Sequence, residues 1–133
     1  MGTHTTIFEQ AGGEAPFRRM LDIFYTQVEQ DLLLRPLYPA DLEPGKRHLL
    51  LFIMQYFGGP AHYSAERGHP RLRMRHMPFR IGQPERDAWL THMLSALEQA
   101  DFPESVKPAM QAYFTQAASF MINTSPTAID IQG

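Results

Sequence analysis

The chain has 133 residues, a formal net charge of −2, 44% hydrophobic residues and no cysteine. That length suits one domain with its own core, and the missing thiols exclude disulfides, zinc–thiolate sites and iron–sulfur ligation by this chain. The start, Met-Gly-Thr-His-Thr-Thr, has no basic stretch leading into an apolar run, and nothing nears the roughly 18 apolar residues that span a bilayer, so a cytoplasmic protein without membrane contact is expected.

One or two helical turns are expected around Thr6–Gln10, stopped by Gly12-Gly13. Phe17, Met20, Leu21, Phe24, Tyr25 and Val28 then repeat at helical spacing, which predicts an amphipathic helix over 14–30. Tyr25 lies on its apolar stripe, where a phenol needs a partner and a backbone carbonyl is the commoner one. Pro36 and Pro39 close 31–37 as a turn or a 3₁₀ segment that carries Tyr38. A second helix is predicted over 45–57 with Leu49, Phe52, Ile53, Tyr56 and Phe57 inward, stopped by Gly58-Gly59-Pro60. Residues 61–69 read as irregular connection, with Tyr63 and His69 facing the interior or a cofactor.

The next stretch is the most distinctive. Pro70 opens and Pro78 forbids continuation of a very short helix on which Leu72, His76 and Phe79 recur at i, i+4 and i+7. An imidazole therefore sits in the middle of an apolar face. It is either a core histidine with a hydrogen bond, or an axial ligand to a flat, apolar, anionic cofactor. Arg67, Arg71, Arg73, Arg75 and Arg80 crowd five cations into fourteen residues around it.

Phe79–Gln83 is loop. Pro84, Glu85 and Asp87 then start a third long helix, the acids lying at the positive end of its dipole. Its apolar face carries Trp89, Leu90, Met93, Leu94 and Leu97. A last helix is predicted over 104–121 with Val106, Met110, Tyr113, Phe114, Ala117 and Met121 inward, and 123–133 is a loose tail. No strand signal competes. The expectation is an all-α single domain over 1–133.

Taken together, Ala11-Gly12-Gly13, Phe24-Tyr25, Leu37-Tyr38-Pro39, the run from Gln55 to Ser64 and the block from Arg67 to Leu90 resemble the truncated haemoglobins, specifically their second group, over Ile7 to about Asn123. The resemblance implies a two-over-two helical sandwich enclosing protohaem (haem b, with its iron), which is pentacoordinate and binds O₂, CO or NO reversibly. It implies His76 as the proximal iron ligand and Tyr25, Tyr38 and Trp89 as distal residues over the opposite face. Gly45 falls where this group often has a small residue in place of a distal histidine. Leu49, Phe52, Tyr63, Leu72, Phe79 and Ile81 are the expected apolar haem contacts. Propionate contacts are expected from His48, His69 and Arg75, with Arg47 as a further candidate.

The chemistry of these residue types fits those roles. Trp89 can only donate, through its indole N–H, whereas Tyr25 and Tyr38 donate or accept. Core filling is the plain alternative for Trp89. Peroxidase or NO dioxygenase work, with an external electron donor, would use the same pocket, and a monomer or homodimer is expected. The competing reading is a cofactor-free module whose Arg67–Arg80 cluster grips phosphate or nucleic acid. Burying His76 with Leu72 and Phe79 serves no purpose in that module.

Overall fold

The computed structural model describes residues 5–69 and 80–123. The proline-bounded stub with Leu72, Arg75, His76 and Phe79, and the tail beyond Asn123, lie outside the described residues.

Helix α1 (Ile7–Gln10) starts on a reciprocal cap: Thr6 Oγ1 accepts from the Glu9 N–H at 3.1 Å, and Glu9 Oε1 accepts from the Thr6 N–H at 2.9 Å. Helix α2 (Glu14–Gln30) has the predicted bounds, and Phe17, Met20, Phe24 and Val28 are all 0% exposed on its inner face. A 3₁₀ turn over Arg35–Leu37 follows, as the two prolines require. Helix α3 (Glu43–Tyr56) begins two residues earlier than the apolar pattern suggests, because Pro44 suits a first turn and Asp41 Oδ1 accepts the Glu43 N–H at 3.1 Å.

The connection after α3 is not irregular throughout. Helix α4 (His62–Arg67) forms there, with Gln55 bonding both the Ser64 N–H (2.9 Å) and the Ser64 hydroxyl (2.6 Å). It buries only Tyr63, so no apolar period announces it. Helix α5 (Gln83–Gln99) starts where Glu85 Oε1 accepts the Gly82 N–H at 2.8 Å. The last helix opens as a 3₁₀ turn over Glu104–Val106 and continues as α6 (Lys107–Phe120). Buried Lys107 answers to Glu104 at 2.7 Å and Glu98 at 3.2 Å.

Helix α2 packs most extensively on α5, α5 on α6, and α2 on α3. The pair α2/α3 thus lies across the pair α5/α6: a two-over-two helical sandwich, with no strand among the described residues. Phe17 anchors one end, its ring 5.0 Å from Phe102 in an edge-on contact and 5.7 Å from Phe8. No helix among the described residues is long and apolar enough to cross a membrane.

Tyr56 departs from expectation. It is 55% exposed, with its ring centroid 4.0 Å from that of Tyr113. The buried residues of α3 are Leu50, Phe52, Ile53 and Met54, with Phe57 at its end, while Tyr56 turns outward and Leu49 is partly buried. Gly59 allows the chain to fold back there: a Cβ on it would lie 2.8 Å from the Met54 carbonyl oxygen and from the Phe8 ring.

Candidate functional site

Three polar aromatic side chains from three separate elements meet. Tyr25 comes from the middle of α2, Tyr38 from the residue after the 3₁₀ turn, and Trp89 from the second turn of α5. The Tyr25 and Tyr38 rings stand edge-on at 6.0 Å and 79°. Phe24 fills the space behind them, edge-on to Tyr25 at 5.2 Å and to Trp89 at 5.6 Å. The helical order of α2 therefore points one ring into the core and the next into the cluster.

Burial pushes the Tyr25 phenol well above its ordinary value, and neighbouring Tyr38 adds to the rise. Burial likewise pushes Tyr38 up to about 12, while the Trp89 indole N–H, within bonding reach of the Tyr38 oxygen, holds it back. Both phenols are neutral at physiological pH and keep a proton to donate. Among the described residues no buried side-chain polar atom lacks a partner. The Tyr25 ring is only 7% exposed.

Gly45 in the first turn of α3 stands beside Tyr25, since a Cβ on it would lie 3.8 Å from the Tyr25 hydroxyl oxygen. Gly45, Leu49 and Phe52 follow at i, i+4 and i+7, so one side of α3 makes an apolar wall leading away from Tyr25. Buried Phe52 ends that wall against buried Tyr63 of α4, ring centroids 5.4 Å apart. His48 lies partly buried beside it. Arg47 is held in a two-pronged pair with Glu66 (2.6 Å for each prong), which lifts the guanidinium and lowers the carboxyl, His48 and His62 adding smaller electrostatic pulls on Glu66.

His69 is exposed. Ile81 is partly buried and pinned reciprocally by Asn123, whose N–H donates to the Ile81 carbonyl and whose Oδ1 accepts from the Ile81 N–H, both at 2.8 Å. The structure thus brings Tyr25, Tyr38 and Trp89 together, sets Leu49, Phe52 and Tyr63 along one wall, and keeps His69 and Ile81 on loops. His76, Leu72, Arg75 and Phe79 lie outside the described residues.

Sequence reasoning missed the polar groups behind the cluster. Arg35 donates to the carbonyls of Tyr38 (3.3 Å), Pro39 (2.9 Å) and Ala40 (3.0 Å) and so fixes the backbone that presents Tyr38. His92 bonds Asp31 across α5 and α2. The latter pair is too far apart in the chain to carry a sequence signal, although His92 stands three residues after Trp89, on the same side of the helix.

The bacterial-like globin family model matches residues 6–123. The group 2 truncated haemoglobin YjbI of Bacillus subtilis is 36% identical over 114 residues, 86% of each chain. The crystal structure of a haemoglobin from the thermophilic phototrophic bacterium Chloroflexus aurantiacus is 63% identical, covers 91% of this chain and all of its own, and superposes with a TM-score of 0.89. The group II truncated haemoglobin of Bacillus anthracis is 35% identical, with 92% of this chain and 95% of its own covered and a TM-score of 0.88.

The chain belongs to the bacterial-like globins, within their group II truncated haemoglobins. Its cofactor is haem with its iron, and its ligands are small diatomic molecules. The donor set fits that group: an apolar wall for a flat macrocycle, neutral N–H and O–H donors at one end, and cationic side chains along α3. The reading of the Arg67–Arg80 cluster as a cofactor-free phosphate or nucleic-acid grip finds no support in this membership.

Proposed function

We propose that the protein binds O₂ reversibly and retains it through hydrogen bonds from Tyr25, Tyr38 and Trp89. The observation that carries this reading is the meeting of the Tyr25, Tyr38 and Trp89 side chains, from three elements, beside Gly45. Haem, when bound, would supply an iron able to bind a neutral imidazole and a diatomic ligand. His76 is the imidazole in this proposal. Leu49, Phe52, Tyr63, Leu72, Phe79 and Ile81 hold the macrocycle, and His48, His69 and Arg75 meet its carboxylates. With Arg47 engaged by Glu66, it is the weaker candidate for that task.

The selectivity follows from charge. O₂ as a haem ligand draws electron density to its outer atom, whereas CO does so much less, so donors aimed at that atom favour O₂. In a dry pocket each such bond contributes on the order of 1 kcal/mol or more. Tyr25→Phe keeps the ring and deletes the hydroxyl. Equilibrium binding should then weaken for O₂ by roughly five- to ten-fold and for CO by much less. Unchanged O₂ affinity would remove Tyr25 from the donor set.

A further inference from the structure

We infer that His92 and Asp31 form a positioning clamp that sets where the Trp89 indole and the Tyr38 hydroxyl stand. The inference rests on the donor reading above only for its effect on ligand release. Asp31 ends α2, and its side chain governs the turn that follows. Its Oδ1 accepts the N–H groups of Leu33 (2.8 Å) and Leu34 (3.1 Å), while its backbone carbonyl accepts the Arg35 N–H at 2.8 Å. Arg35 in turn grips the carbonyls of Tyr38 to Ala40. Asp31 is thus joined to the Tyr38 backbone by a continuous run of hydrogen bonds.

The other carboxylate oxygen reaches across to α5. His92 Nε2 lies 2.7 Å from Asp31 Oδ2, and His92 Nδ1 lies 2.9 Å from Oε1 of Gln27, one turn back along α2. The imidazolium donates on both sides. The neutral ring keeps both bonds only when the Gln27 amide turns its NH₂ to Nδ1. The His92 and Asp31 side chains are 22% and 18% exposed, so water competes little for them. Trp89 stands one turn before His92 on the same helix face. The two elements that carry Tyr38 and Trp89 are therefore joined twice, at the polar contact between those residues and at the clamp behind it. Releasing the second join lets α5 and the turn shift against each other, and the first join moves with them.

Trp89 is the only tryptophan in the chain, so the haem-loaded, CO-saturated full chain gives one indole N–H NMR signal. In His92→Leu that signal should shift or split, and O₂ dissociation should quicken by about three-fold or more. Asp31→Asn keeps an acceptor for Leu33 and Leu34 and a hydrogen bond to the ring, and should leave the signal at its wild-type position. Should His92→Leu fail to fold, His92→Gln takes its place, with the same shift expected. An indole signal that stays in place in the His92 variant, even with a lower melting temperature, would make the clamp merely structural and overturn the inference. A shifted signal with O₂ release unchanged in both the His92 variant and Trp89→Phe would uphold the positioning and sink the donor reading instead.

Discussion

The Tyr25 and Tyr38 rings meet edge-on at 6.0 Å, although one belongs to a long helix and the other to a turn thirteen positions later. Such a contact lets two phenols share one small space without stacking. Their raised pKa values express the same fact, since burial opposes a phenolate at either site.

Gly45 marks the boundary of that space. A methyl at this position meets the Tyr25 hydroxyl oxygen at 3.8 Å, an ordinary contact. Gly45→Ala is therefore expected to fold normally and raise helix stability by up to about 1 kcal/mol, whereas Gly45→Leu fills the space beside Tyr25 and slows entry of O₂ and CO alike. Thermal denaturation and association rates for the two variants check this. Wild-type association rates in Gly45→Leu would place the opening elsewhere.

Acid should loosen the join behind the site. The hydrogen bond from His92, with the Leu34 and Leu33 N–H groups, holds the Asp31 carboxyl below its ordinary value despite some desolvation. A carboxyl lowered by folding stabilises the fold above its unfolded value of about 3.9, and that contribution is lost as pH falls through the folded value. The melting temperature should drop more steeply below about pH 4 in the wild type than in Asp31→Asn. Parallel acid profiles for the two proteins would show that Asp31 does not couple protons to folding.

Much of this was legible in the sequence because it is written in period. The bounds of α2 and its buried face, Phe17 to Val28, follow from apolar spacing alone. On α3, Phe52, Ile53 and Phe57 are buried as the apolar pattern requires, whereas Tyr56 turns outward and Leu50 and Met54 are buried as well, a choice that only packing makes. Helix α4 buries a single side chain, so hydropathy had nothing to report. Tyr25, Tyr38 and Trp89 stand apart in the chain, and their union needs the tertiary crossing of α2 and α5. The resemblance supplied that union; spacing did not. The His92–Asp31 pair spans 61 positions and carries no motif, so it came only from the coordinates.

In the sequence His76 lies between Pro70 and Pro78, four residues after Leu72 and three before Phe79. His76→Ala is expected to lose the five-coordinate ferrous spectrum and much of its haem affinity, and added imidazole is expected to restore the spectrum. The same defect in His69→Ala, with no imidazole rescue in His76→Ala, would move the assignment to His69.

The account turns most on whether Trp89 donates a hydrogen bond to the ligand or fills core. Trp89→Phe keeps most of the packing against Phe24 and Phe114 and removes the N–H. Stopped-flow dissociation on this variant measures the difference directly. A rise of roughly ten-fold in the O₂ dissociation rate is expected, with a much smaller rise for CO and little change in melting temperature. Equal rises for the two gases, or no rise for O₂, would contradict the account and leave the indole as packing.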